Sequence, residues 1–313
     1  MRIVIVGPGA LGCLVGGLLS KKAEVWLLDR DPKRAERIIK NQGITCQGAS
    51  GKWTAKIPAT AKAADIGEAD LIILCVKAYH TKEALLHARD CIRKDTTVLT
   101  LQNGLGHIEV IKEFVDEQNL LVGVTNHGVT LIGEGQIQHA GTGETIIGNL
   151  EGFLPARARQ IREIFNESGL DTKLSRNIKG VLWSKLIINC GINPVSALTR
   201  LKNGQLMHQE TCAEVIRGAV TEAVRVAKRG RVQLVYDDPL AKVESVCEAT
   251  GPNRSSMLQD VLARKKTEID FINGVILRQA RSYGIPTPVN QILVNLVKTV
   301  ESSYGEMVDG QGS

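Results

Sequence analysis

The chain is poor in aromatic residues: Phe, Trp and Tyr together make up 4 % of its 313 positions. It therefore lacks the interleaved aromatic and basic motifs that stack on bases. Its net charge of +6 is scattered, with only short clusters such as Arg264-Lys265-Lys266 and Lys228-Arg229-Gly230-Arg231. Nucleic acid is not an expected partner. The seven cysteines are odd in number and include no C-x-x-C and no Cys/His cluster at zinc spacing. A disulfide framework and a structural metal are thereby disfavoured, and buried thiols in a reducing compartment are expected. No segment offers the roughly 20 apolar residues that a spanning helix needs. The stretch from Arg2 to Lys21-Lys22 imitates a targeting leader, but five glycines interrupt it and no small-x-small cleavage site follows cleanly. The expectation is a soluble cytoplasmic protein that acts on a small molecule, with no membrane partner. A homodimer is compatible with this composition.

What is present starts at the N-terminus. The apolar run Arg2-Ile-Val-Ile-Val6 leads into Gly7-Pro8-Gly9-Ala10-Leu11-Gly12. This is a strand, a glycine turn and a helix start in the G-x-G-x-x-G register of dinucleotide binding. The first glycine permits the tight turn, the second a close approach of backbone to pyrophosphate, and the third close packing of helix on strand. A helix N-terminus favours the negative charge. These six residues are the expected pyrophosphate site. A second strand, Glu24–Leu28, ends in Asp29-Arg30, where the adenosine ribose should lie. Asp29 stands where an acid bonds the ribose 2′-OH of NAD, and Arg30 is what a 2′-phosphate needs.

A chain of this length holds two domains. Strands are predicted near 2–6, 24–28, 70–76, 96–101 and 120–125, with helices near 11–20, 33–41, 80–90 and 107–116. A hairpin is expected over 43–58, around Gly48–Gly51. Three short β runs within 128–148 should add an antiparallel extension to a parallel sheet. From 177 onward the pattern is helical, with helices over 209–229, from 256 to 282 with a break, and over 289–303, then a disordered tail from Gly305. The boundary falls near 175, giving a dinucleotide-binding domain over 1–175 and a helical substrate domain over 176–313.

Four polar segments interrupt these patterns. Lys77 and Asn103 follow the 70–76 and 96–101 strands, and ligands of open parallel sheets sit off such strand ends. A surface lysine and an Asn-Gly turn explain them equally well. Lys185 and Asn189 share a helix face at i,i+4, and Asn193 closes that side before Pro194. The alternative for Lys185 is a snorkelling side chain whose amine reaches water. Ser256-x-x-Gln259 fits a capping box, and Glu268, Asp270 and Asn273 crowd one stretch of an apolar helix, as a solvated face also would.

Taken together, Gly-x-Gly-x-x-Gly, Lys77, Gln102-Asn103-Gly104, Lys185 with Asn189 and Asn193-Pro194, Ser255-Ser256-Met257 and Thr267-Glu268-Ile-Asp270-Phe-Ile-Asn273-Gly274 resemble the ketopantoate reductase (2-dehydropantoate 2-reductase) family, in order along nearly the whole chain. The resemblance implies an α/β Rossmann-type N-terminal domain followed by an all-α C-terminal domain of the 6-phosphogluconate dehydrogenase type. It implies NADPH-dependent reduction of 2-dehydropantoate to (R)-pantoate on the route to coenzyme A. Lys185 then takes the general-acid position and Glu268 the substrate-hydroxyl position. Asn103, Asn189, Asn193, Ser256 and, more weakly matched, Asn203 take substrate-contacting positions. Arg30 and Lys77 lie near the adenosine phosphate and cofactor, and Asn103 is expected to contact the cofactor as well as the substrate. Asp29 departs from an NADP site, which keeps NADH open as the cofactor. Reduction of another 2-keto acid, and a non-catalytic NAD(P)-binding sensor, are the competing functions.

Overall fold

A computed structural model describes residues 1–306. The tail expected from Gly305 therefore lies almost wholly outside the described residues. The chain divides into two compact units, one of residues 1–102 and 107–178, the other of residues 103–106 and 179 onward.

In the first unit the elements are β1 (Arg2–Val6), α1 (Ala10–Leu19), β2 (Glu24–Leu28), α2 (Pro32–Lys40), β3 (Ile44–Gly48), β4 (Trp53–Ala55), β5 (Ala59–Thr60), β6 (Leu71–Leu74), α3 (Thr81–His87), β7 (Thr97–Thr100), α4 (His107–Lys112), β8 (Leu120–Thr125), β9 (Gly128–Gly133), β10 (Gln136–Gly141), β11 (Thr145–Gly148), α5 (Ala156–Glu167) and β12 (Thr172–Leu174). Eight strands form one sheet in the order β12-β11-β8-β7-β6-β1-β2-β5. Its β5-to-β8 portion is parallel, and β11 runs antiparallel to β8. The apolar runs RIVIV, LIIL and LLVGVT are buried almost throughout, as strands covered on both faces must be. Ile3, Ile5, Leu14, Leu27, Ile73 and Leu99 form the centre of this core.

The order reverses between β1 and β6, so the loops after these two strands flank a topological switch point. This is where open α/β sheets take their ligands. The loop after β1 is the glycine turn, and the loop after β6 carries Lys77.

One pairing was not expected. The 43–58 hairpin does form, as β3 against β4, but it does not stand alone. Strand β3 pairs in parallel with β10, which pairs with β9, giving a separate sheet in the order β4-β3-β10-β9. Of the three runs within 128–148, only β11 joins the main sheet.

The second unit is helical: α6 (Ile178–Thr199), α7 (Asn203–Leu206), α8 (Glu210–Arg229), α9 (Pro239–Ala249), α10 (Ser256–Leu262), α11 (Asn273–Tyr283) and α12 (Pro288–Ser302). Helix α6 runs through Pro194 without ending. It also corrects the expectation that no segment could span a membrane. By length and composition α6 qualifies, although 78 % of its most apolar window is buried inside the protein, as in a core helix.

Candidate functional site

In the first unit, the glycine turn has the shape of a cradle. Gly7 adopts φ +90°, and a side chain there would collide with Val76 at the end of β6. A Cβ on Gly12 would strike the Gly7 carbonyl, so this glycine is what lets α1 approach β1. A Cβ on Gly9 would meet nothing within 4 Å. Gly9 is also the N-cap of α1 and offers no side-chain hydrogen bond to it. The first turn of α1 therefore faces open space with its N–H groups and dipole available to an anion. Pro8, Ala10 and Leu11 complete the loop and first turn. These residues fit a dinucleotide pyrophosphate.

The ribose corner separates Asp29 from Arg30. Asp29 is 1 % exposed. It forms a two-pronged ion pair with Arg34, through Nε and through Nη2 at 2.7 Å, and accepts the Asp31 N–H at 2.9 Å. Its charge is paired inside the protein, and three hydrogen bonds occupy most of its acceptor sites. Arg30 is turned outward, with its side chain 65 % exposed. Its Nη1 lies 3.4 Å from His80 Nδ1 and 3.5 Å from Glu83 Oε2. Arg30 therefore converges with the segment that starts at Lys77, the N-cap of a short 3-10 turn over Ala78–His80. Gln102 is buried and links the strand ends, donating to the Val76 carbonyl and to Thr81 Oγ1, both at 2.9 Å.

In the second unit, Lys185 and Asn189 lie on α6 as expected, and Asn193 is buried on the same helix. Burial pushes the Lys185 ammonium down to about 8, and the charge of Glu268 opposes that shift. The two groups are thus electrostatic neighbours although 83 positions separate them in sequence. Asn103 joins this unit because its loop docks there. Gly104, at φ +80°, lies so close to Phe271 that a Cβ would strike the Phe271 carbonyl. The Leu105 N–H donates to that same carbonyl at 2.9 Å. Phe271 stands three residues after Glu268, so Asn103 and Glu268 are held to one short segment.

Two local expectations are corrected. Glu268, Asp270 and Asn273 do not share a helix: Glu268 is the N-cap of a 3-10 turn over Ile269–Phe271, and Asn273 opens α11. Glu268 is buried at 5 % exposure rather than on a solvated face. The cap of α10 is Ser255, whose Oγ accepts the Leu258 N–H at 3.1 Å. Ser256 is the first helical residue, is exposed, and keeps its hydroxyl out of the cap. Asn203 is 7 % exposed and secures the 250–253 loop: its Nδ2 donates to Thr250 Oγ1 at 2.9 Å and its backbone N–H to the Asn253 carbonyl at 3.0 Å. Arg34 escaped sequence reasoning, since a helical arginine carries no signal of its partner, and the bonds of Gln102 within its motif were equally unannounced.

A depression of about 1120 Å³ between α5 and β12 contains none of these residues. Its four basic residues, Arg159, Arg162, Lys173 and Arg176, are offset by Glu151, Glu163 and Glu167, so it presents no charge of one sign to a ligand.

Comparison with known proteins follows both units. Residues 3–152 match the family model described as "Ketopantoate reductase PanE/ApbA", and residues 177–301 match its C-terminal counterpart. The 2-dehydropantoate 2-reductase of Pyrococcus horikoshii is 36 % identical over 309 residues, covering 97 % of this chain and 99 % of the relative. Among solved structures, a PanE/ApbA family ketopantoate reductase from Ralstonia eutropha superposes with a TM-score of 0.90 at 31 % identity, over 98 % of this chain and all of that one. A D-mandelate dehydrogenase in complex with NADH and anilino(oxo)acetate gives the same TM-score and identity over 97 % of this chain and all of that one. With both family models matched and relatives aligned from end to end, the chain belongs to the ketopantoate reductase family.

Proposed function

We propose that this chain reduces the C2 ketone of 2-dehydropantoate to (R)-pantoate, with NADPH as cofactor. The observation that carries the proposal is the pairing of Lys185, its ammonium pushed down to about 8 by burial, with Glu268 in a helical unit.

The nicotinamide, when bound, supplies the hydride. The chain's own residues do the rest. As the substrate oxygen gains charge, protonated Lys185 stabilises it and then delivers the proton. An amine that titrates near neutrality gives that proton more readily than one at 10.5. Glu268 accepts a hydrogen bond from the substrate hydroxyl. Asn103, Asn189 and Asn193 supply amide donors and acceptors around the substrate, and the Ser256 hydroxyl receives the carboxylate. Asn203 gives one Nδ2 hydrogen to Thr250, so its second Nδ2 hydrogen and its Oδ1 remain for this role.

The preference for NADPH rests on the ribose corner. With Asp29 neutralised by Arg34, the repulsion it would exert on a 2′-phosphate is largely cancelled, and so is its capacity to accept a ribose hydroxyl. Arg30, held only by exposed partners, is available to the phosphate, and Lys77 lies on the same side. Homodimer formation belongs to this reading as well, and sedimentation velocity reads it directly.

The test is the initial rate of cofactor oxidation with 2-dehydropantoate, using NADPH and NADH in parallel. The expected result is turnover with NADPH preferred, and loss of that preference in Arg30→Ala. The D-mandelate dehydrogenase likeness names the competitor: faster turnover of an aromatic 2-keto acid with NADH would replace both substrate and cofactor. Tight cofactor binding without turnover of any keto acid would leave a sensor.

A further inference from the structure

Pro194 lies inside α6. A proline has no N–H, so the carbonyl four residues earlier, that of Cys190, loses its helical donor and is pushed aside by the ring. That carbonyl lies between Asn189 and Asn193 on the helix assigned to the substrate. It is nevertheless satisfied: Asn273 Nδ2 donates to it at 2.9 Å.

Asn273 is itself anchored. Its Nδ2 also donates to Asn290 Oδ1 at 2.9 Å. Asn290 in turn donates from Nδ2 to Glu222 Oε2 at 2.7 Å and to the Ala219 carbonyl at 3.0 Å. The Glu222 carboxylate further accepts the Val289 N–H at 2.9 Å and the Asn290 N–H at 3.0 Å, capping α12 with negative charge. Asn273 and Asn290 are 0 % exposed and Glu222 is 5 % exposed. The direction of the chain is forced. A carboxylate only accepts, so Asn290 turns its amide nitrogen to Glu222 and its oxygen to Asn273. Asn273 must then present nitrogen to that oxygen, and the second hydrogen points to Cys190. The cost is visible at Asn273 Oδ1, which is buried without a hydrogen-bond partner among the described residues. Beside the junction, Gly191 lets α8 approach α6 so closely that a Cβ would press on Val220 and Ile216.

We propose that the Glu222–Asn290–Asn273 relay is a positioning device: it takes up the carbonyl freed by Pro194 and thereby holds Asn189 and Asn193 in register with Glu268, five residues before Asn273. The three residues touch no substrate. They act through α6, and the inference rests on the proposed roles of Lys185, Asn189, Asn193 and Glu268.

A double-variant cycle in the full-length protein tests it. Asn273→Ala should lower kcat/KM for 2-dehydropantoate about ten- to a hundredfold, since displacement of binding groups by about 1 Å costs that much. Most of the loss should be in KM, with the Kd of NADPH, read by nicotinamide fluorescence, unchanged. Pro194→Ala restores an N–H to the Cys190 carbonyl, so Asn273→Ala/Pro194→Ala should recover most of the lost kcat/KM. A merely structural role would lower the melting temperature of Asn273→Ala and leave its kcat/KM normal; that result overturns the proposal. So does a double variant no better than Asn273→Ala. If Asn273→Ala does not fold, Asn290→Ala, which leaves Asn273 present but unanchored, enters the same cycle with the same expectations. Wild-type turnover separates the two failures. An inactive wild type refutes the proposed function and the relay's role with it, whereas an active wild type with a normal Asn273→Ala refutes the relay alone.

Discussion

Lys185 concentrates the chemistry of single residues. A lysine displaced from 10.5 to about 8 by desolvation, against the pull of Glu268, has a protonation state that changes in the working range of an enzyme. Reduction needs the ammonium form, so kcat/KM for the ketone should fall as pH rises through about 8. Oxidation of the alcohol needs the free amine and should rise through the same region. Lys185→Ala should lower kcat by roughly 10²–10⁴ and abolish that pH limb, with the fold intact by circular dichroism. A variant with near-normal turnover, or with the limb retained, would move the acid elsewhere. Asp29 teaches a different lesson at the same scale. Its position in sequence marks it as a ribose ligand, yet Arg34 holds it inside the protein. The proposed preference for NADPH therefore rests on a partner five residues away that no motif names.

Among elements, the strands were legible because those buried on both faces must be almost continuously apolar, and RIVIV and LIIL are short and bounded by turns. The βαβ glycine turn was legible because separate steric demands fall on Gly7 and Gly12. The second sheet was not, since β3 and β10 pair across about 90 residues of sequence with nothing local to announce it. Nor was the passage of α6 through Pro194, because the donor that satisfies the Cys190 carbonyl comes from α11. In the C-terminal stretch the elements were not legible: Glu268, Asp270 and Asn273 were expected on one helix, and a 3-10 turn divides Glu268 from Asn273. The two serines of α10 give a test at this scale. Ser255→Ala removes the cap and should cost about 1 kcal/mol of unfolding free energy in denaturant titrations, with KM little changed. Ser256→Ala should leave stability within about 0.5 kcal/mol and raise KM for the keto acid. Exchange of these two phenotypes would return the cap to Ser256 and remove it from the substrate.

For the molecule as a whole, sensitivity to acid should be unevenly shared. Burial pushes His107 and His127 down to about 4, and His139 downward as well. All three belong to the first unit. His107 is 0 % exposed and neither ring nitrogen has a hydrogen-bond partner among the described residues. His127 Nδ1 and His139 Nε2 share one hydrogen bond at 3.1 Å, so one of these two nitrogens must be an unprotonated acceptor. In the unfolded chain such imidazoles take up a proton near 6.5; in the folded protein His107 and His127 resist until about 4. Between those values the unfolded state binds more protons, so stability falls as pH drops through the window. For His107 alone the loss is on the order of 3 kcal/mol. We expect hydrogen exchange between pH 6.5 and 4 to show β8, β9 and β10 losing protection before α8 and α12. His107→Leu should weaken the pH dependence of melting, because a side chain of similar size with no ring nitrogen has no proton to gain. Simultaneous loss of protection in both units, together with an unchanged pH profile in His107→Leu, would assign acid instability to carboxylates instead. A wild-type first unit that opens early, and a His107→Leu protein that opens later, would locate it in the buried imidazoles of the first unit.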